Sequence, residues 1–172
     1  MNSDALRQWV ANQTGLETIW MNPNAPRPPR PYCAMQIINV ARIGEPYRTG
    51  PDAAGFSTIT ADREVVVSIQ VFESASNPDP RSALQTATDL RDTLELITVR
   101  TRLADAGWAV RAFEMLTDAP QLLETQYEPR AIFDVRFGTT KELLEDVGLI
   151  ESIEVTGTVR DTDYTATFTA EV

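Results

Sequence analysis

Histidine is absent from the 172 residues, cysteine occurs once, at Cys33, and lysine once, at Lys141. The missing imidazole removes the commonest metal ligand and general base together, so Ser-His-Asp, Cys-His and His-Glu-x-x-His chemistries are excluded. A single cysteine excludes Cys/His zinc sites and any internal disulfide. An enzyme built on this chain would have to run on carboxylates, Lys141, tyrosines or a hydroxyl. No apolar run approaches the ~18 residues of a membrane span. Met1-Asn2-Ser3-Asp4 lacks the basic-then-apolar pattern of a signal sequence, so the protein is expected in a reducing cytoplasm and the sequon Asn12-Gln13-Thr14 reads as a chance match. An excess of basic charge is also missing. The formal charge is −10, which repels phosphate at long range and argues against tight non-specific binding of DNA or anionic lipid.

What is present is an ordinary globular composition, 42% hydrophobic and 23% charged, at a length that suits one domain able to bury a core without disulfides. Ser3 as N-cap, Leu6, Trp9 and Val10 at helical spacing and Gly15 as a stop predict an amphipathic helix over 3–14. The segment 22–31 holds five prolines, which forbids helix; a stiff connector between strands is favoured over an SH3-type ligand. Tyr32 to Arg42 reads as a strand covered on both faces. The stretch 44–61, rich in Gly, Pro, Ser and Thr, is expected to be a long irregular loop. Val65, Val67, Ile69 and Val71 alternate against Val66, Ser68, Gln70 and Phe72, the pattern of a central strand.

Asp79 and Pro80 mark a helix start, and Ala83, Leu84, Ala87, Leu90, Leu94 and Ile97 trace one face over about four turns. A short helix over 100–106 closed by Gly107, strands at 108–116 and 129–137, and one or two helical turns over 140–148 follow. The chain finishes in a hairpin within 150–172, with a turn at 160–163 and Tyr164, Ala166, Phe168, Ala170 and Val172 on one face. The whole is a single α+β domain, a mixed and mostly antiparallel sheet packed by two main helices.

Candidate chemistry is sparse. Gly50 to Ser57 has the glycine spacing of a phosphate loop, but Phe56 stands where its lysine belongs, so a turn is expected. Asp161 and Asp163 lack the remaining ligands of a calcium loop and suit a hairpin turn. Glu142, Glu145 and Asp146 sit at near-helical spacing and are the only motif for a carboxylate-dependent hydrolase; a solvated helix face explains them better. Trp9, Trp20 and Trp108 are expected as core or interface anchors. Asp134 and Arg136 lie opposite Ala131, Phe133, Val135 and Phe137 on their strand and read either as plain surface or as a charged subunit contact.

Several blocks together resemble a family. They are Pro31 to Ile37, Thr60 to Phe72, Ala87 to Leu94, Ile132 to Phe137 and Ile150 to Gly157, and the chain that carries them is similar, over about residues 3–160, to the neck or tail-terminator (tail-completion) proteins of tailed bacteriophages and related prophages. The resemblance implies a structural virion protein with no catalytic residue, cofactor or metal. It implies a ring, typically a hexamer, that caps the tail tube, docks the head-completion (neck) protein and lets double-stranded DNA pass through its lumen. Its place would be the virion neck, and the host cytoplasm during assembly. The other readings are a neighbouring ring component, such as a head-completion or tail-tube subunit, and the hydrolase. Contacts are expected in the proline-rich segment, the 44–61 stretch and the terminal hairpin, with Arg27, Arg30, Tyr47, Phe56, Asp134, Arg136, Tyr164 and Phe168 as candidate interface residues.

Overall fold

The computed structural model describes residues 2–21, 24, 26–74, 76–77, 79, 82–123, 126–149, 152–159 and 162–169, with backbone only at 123, 126 and the last two spans. Helix α1 (Ser3–Thr14) has the expected bounds, but its cap lies one residue earlier than Ser3: Asn2 is the N-cap, its side chain accepting from the Asp4 amide at 3.1 Å. Gly15 closes it at φ 68, a left-handed cap that glycine adopts without a Cβ clash. Strand β1 (Glu17–Trp20) pairs in parallel with the start of β2 (Tyr32–Arg48), Glu17 opposite Tyr32 and Trp20 opposite Met35. The proline-rich segment is therefore a connector between two strands, as its composition requires.

β2 turns into β3 (Phe56–Phe72), so the stretch expected as a long loop over 44–61 is strand except for the connection 49–55. That connection is too short for a parallel crossover. After β3 come α2 (Ser82–Asp92), a 3-10 turn (Thr93–Glu95) and α3 (Ile97–Asp105). One helix to Ile97 was expected, yet the chain breaks. Thr93 Oγ1 donates back to the Leu90 carbonyl at 2.7 Å and Leu96 is extended at ψ 124. Ile97 consequently lies 81% exposed, and Val99 and Leu103 carry the buried face of α3.

β4 (Ala109–Phe113), β5 (Thr117–Asp118) and the small pair β6 (Gln121–Leu123) and β7 (Gln126–Glu128) precede β8 (Arg130–Asp146). The helical turns expected over 140–148 are instead the last seven residues of β8. The main sheet runs β1-β2-β3-β8-β4, with β5 also on β8, so β3 is central as its alternation indicates. Antiparallel β9 (Ser152–Val159) and β10 (Thr162–Thr169) form the expected C-terminal hairpin. Thr162 pairs with Val159, so Asp163 belongs to a strand and not to the turn; Asp161 lies outside the described residues. The fold is α+β, with three α-helices among the described residues.

The chain divides into two compact units, Met1–Gly44 with Asp62–Thr140, and Glu45–Ala61 with Lys141–Val172. The first contains the core. Cys33 and Met35 of β2, alternate residues Val65 to Val71 of β3 and Ala131 to Phe137 of β8 meet Leu6, Trp9 and Val10 of α1, Ala83, Ala87 and Leu90 of α2, and Val99 and Leu103 of α3. Period two on the strands and period 3.6 on the helices thus converge on one layer. Trp108 meets Phe137 edge-on at 5.5 Å, and its indole donates to the Asn2 carbonyl at 2.9 Å. Trp9 donates to Thr93 at 3.1 Å, and Trp20 packs at the core margin, so all three tryptophans anchor the core. A smaller cluster, Tyr32, Ala34 and Phe72, covers part of the opposite sheet face, Tyr32 stacked on Phe72 at 4.7 Å.

In the second unit the 49–55 turn is organised by Asp52, whose carboxylate accepts from Ala54 and Phe56 amides, both at 2.9 Å. Gly55 is at φ 85, and a Cβ placed on it would come within 3.2 Å of the Gly148 backbone, while the Val147 amide donates to the Gly55 carbonyl at 3.0 Å. Only glycine combines that φ with so close a backbone approach.

Candidate functional site

The motif for acid-base catalysis does not assemble. On β8 the period of two places Glu142 and Asp146 on one face and Glu145 on the other, all three exposed, with Glu145 paired to Arg48. A cleft of about 180 Å³ between α1 and α3, beside Gln8, Trp9, Asn12 and Arg102, and a polar hollow of about 300 Å³ at Asp79, Leu84, Gln85 and Thr88 hold one charged group each. Neither brings together a pair of titratable groups of the kind general acid-base chemistry needs. Among the described residues no group of histidine, cysteine or carboxylate side chains is placed to hold a metal. Cys33 is buried and its thiol pushed up to about 11, chiefly by desolvation, which leaves it without nucleophilic thiolate near neutrality.

What the surface offers is contact area for other proteins. On the helix-free face of the first unit, Arg136 donates through Nε to Glu114 at 2.7 Å and lies 3.5 Å from Glu64, so one guanidinium on β8 ties together β3 and the chain after β4. The Glu114 hydrogen bond, then its charge, holds the Arg136 proton still more firmly. Asp134 shares this strand face but does not pair with Arg136. Its Oδ1 is buried with no hydrogen-bond partner. The two residues expected as a pair are therefore neighbours with separate environments.

Arg30, another expected contact residue, is turned inward. Its Nε pairs with Oε1 of Glu128, a carboxylate 1% exposed, although neither carboxylate oxygen completes a hydrogen bond of normal geometry. Arg130 follows Glu128 by two residues, donates to Gln70 at 2.6 Å and lies over the Phe72 ring at 5.2 Å. Burial raises the Tyr32 hydroxyl pKa, with Arg27, Arg30 and Arg130 opposing and Glu128 reinforcing the shift, so both connector arginines lie within electrostatic reach of this cluster. Nothing local in Tyr127-Glu128-Pro129 marks Glu128 as buried. The only sequence signal is the pair of arginines in a connector that has to end beside a strand.

Exposed apolar side chains supply the rest. In the first unit β2 was expected to be covered on both faces, but past Met35 it is bare on both: Ile37 and Ile43 on the side of Cys33, Ile38 and Val40 on the side of Ala34, each between 40% and 50% exposed. In the second unit Tyr47 and Phe56, on the two arms of one hairpin, are exposed, as are Leu143 and Leu144 on opposite faces of β8. Tyr47 and Phe56 lie on the paired strands β2 and β3; Asp134 and Arg136 share a strand; Arg27 is exposed within the connector. Side chains of Tyr164 and Phe168 lie outside the described residues. Among the described residues this part of β2 is apolar and exposed on both faces, the kind of surface that protein contacts cover.

A comparison with curated proteins finds no match. The model of one family, phage neck terminator proteins, matches residues 3–163, which takes in most of both compact units and the first strand of the hairpin. The chain belongs to the phage neck terminator protein family.

Proposed function

We propose that the whole chain, 1–172, acts as one subunit of a ring, typically a hexamer, which caps the finished tail tube, stops its polymerisation and presents a docking face to the head-completion protein. It is structural and carries no chemistry of its own. The observation that supports this most directly is the β2 segment past Met35, whose four aliphatic side chains are exposed on both strand faces; such a strand is stabilised when other chains cover it. Contact through Tyr47 and Phe56, Arg27, and the hairpin residues Tyr164 and Phe168 belongs to the same reading. Asp134, Arg136 and Arg30 are candidate contacts in the same reading, and Arg30, by holding Glu128, and Arg136, by holding Glu114 and Glu64, also shape their own subunit.

The charge supports passage of DNA without capture. Six subunits at −10 total about −60, and a lumen of that sign repels phosphate instead of binding it. The protein then works in the virion neck, after assembly in the host cytoplasm.

The direct test is tube polymerisation in vitro. Purified tube protein is assembled with and without this chain, and tube lengths are measured by electron microscopy. Capping predicts that tubes stop growing and carry a ring at one end when the chain is present. Tubes that keep elongating with no end density would overturn the terminator role and shift the reading to a neighbouring ring component.

A further inference from the structure

Within the second unit, three neighbouring strand segments, the end of β2, the start of β3 and the end of β8, have two faces of different chemistry. The Thr49 amide donates to the Thr58 carbonyl at 3.0 Å, and the Val147 amide to the Gly55 carbonyl at 3.0 Å. Residues bonded in this way across an antiparallel pair share a face, and so does every second residue along each strand. Thr49 therefore shares a face with Thr58, and Tyr47 with Phe56. Gly55 shares a face with Val147, so Phe56 goes with Asp146, Leu144 and Glu142. Arg48 and Glu145, the neighbours of Tyr47 and Leu144, pair with each other on the opposite face, in agreement with this assignment, and Lys141 and Leu143 lie on their side.

The first face is apolar and acidic. Tyr47 is 69% and Leu144 68% exposed, Phe56 is exposed with them, and Glu142 and Asp146 flank Leu144. Among the described residues Glu142 has no ion pair, and both cations of these strand segments, Arg48 and Lys141, are on the other face. The sequence of the whole unit, 45–61 with 141–172, holds ten carboxylates against three cations, net −7, and the pairing of Arg48 with Glu145 leaves that net unchanged. The first unit, far longer, is net −3.

We propose that the face of Tyr47, Phe56, Leu144 and Glu142 docks a different protein, one that presents basic side chains around an apolar recess. This rests on the docking part of the reading above and names the surface and the charge of its partner. Charge selects the occupant. Nucleic acid and anionic lipid carry the same sign as this face and are repelled by it. A second copy would meet it with a unit of −3 or of −7, so self-contact sets like charge on like charge. A cationic protein surface has the opposite sign. Tyr47 and Leu144 then serve as the anchors that enter the recess, and Glu142 lies at the rim, where charges set the rate of encounter and its salt dependence.

The experiment immobilises purified tail-tube protein and purified head-completion protein separately and measures binding of the full chain from low to physiological ionic strength, with a thermal melt of each variant. One of the two proteins is expected to bind, more weakly as salt screens the contact. Leu144→Ser should lose about ten-fold or more in affinity and Glu142→Lys should lose both affinity and salt dependence, while Leu143→Ser, one residue along on the opposite face, binds as wild type does. A photo-crosslinking side chain at position 47 should join this chain to a Lys- or Arg-rich peptide of the bound protein. Unchanged binding by both Leu144→Ser and Glu142→Lys overturns the proposal and leaves docking to another surface. An equal loss in Leu143→Ser overturns the choice of face, and a crosslink to a second copy overturns the choice of partner in favour of a contact between subunits. If Leu144→Ser lowers the melting temperature, Glu142→Lys and the crosslink decide. Wild type that binds neither protein overturns the docking reading itself, and this proposal with it.

Discussion

Arg30→Ala separates a folding role from an interface role. Glu128 is 1% exposed, Arg30 is 30% exposed at the side chain, and Arg130 is already engaged with Gln70 and Phe72. Removing Arg30 strands a buried carboxylate without the cation that faces it. Breaking a fully buried ion pair costs 3–5 kcal/mol, and because water reaches Arg30 the lower end applies, about 3 kcal/mol. With a urea m-value of about 2 kcal/mol/M for a chain of this size, the unfolding midpoint falls by about 1.5 M. Glu128→Gln, which leaves an arginine able to reach solvent, should cost only about 1 kcal/mol, and the double variant should recover part of the Arg30→Ala loss. The assay is urea unfolding followed by tryptophan fluorescence, at a protein concentration where the chain is monomeric. An Arg30→Ala midpoint within roughly 0.3 M of wild type, together with weakened assembly, would refute this reasoning and return Arg30 to the interface.

Three further outcomes follow from the core and its edges. Phe137→Ala removes a fully buried ring that meets Trp108 edge-on, and should cost about 3–5 kcal/mol in the same unfolding assay; a loss under about 1 kcal/mol would mean that this layer is not packed as described. Cys33, with its thiol pushed up to about 11, keeps its proton in the folded state to higher pH than in the unfolded chain. Stability from this group is therefore intact below about pH 9 and falls between about 9 and 11, by up to about 3 kcal/mol, a slope that Cys33→Ala should remove. Native protein should accordingly resist thiol reagents at pH 8, and rapid labelling would contradict the burial. Gly55→Val, at φ 85 and with its Cβ brought to 3.2 Å from the Gly148 backbone, should disturb the 49–55 turn and cost about 2 kcal/mol or more; hydrogen exchange at the Val147 amide reads it directly.

The parts of the fold that were legible in the sequence are those whose side chains answer to one buried face. Val65 to Val71 alternate because the helices cover one side of β3, and Leu6, Trp9 and Val10 recur at helical spacing because α1 lies on that same layer. Where neither face is covered the period disappears. Ile37, Ile38, Val40 and Ile43 do not alternate, and Glu142, Leu143, Leu144, Glu145 and Asp146 imitate a helical face, so the far ends of β2 and β8 read as loop and helix. The failure of pattern at these positions has one physical source, a strand whose burial depends on something outside the described fold. Ile97 misled for the opposite reason. It continues the spacing of α2, but Thr93 bonds back to Leu90 and the chain turns before reaching it. Of the contact residues, Tyr47 and Phe56 were readable as exposed aromatics, whereas the inward turn of Arg30 depends on Glu128, 98 positions away, and no local spacing encodes that pairing.

The central claim is assembly into a closed ring, and native mass spectrometry with negative-stain imaging across ionic strength tests it most directly. Subunits at −10 repel one another, and the screening length falls from ~30 Å at 0.01 M salt to ~8 Å at 0.15 M. Closed rings of one stoichiometry, sparse at low salt and abundant at physiological salt, are the predicted result. A chain that is monomeric at every concentration and ionic strength, and that also leaves the ends of added tail tubes bare, would contradict the account.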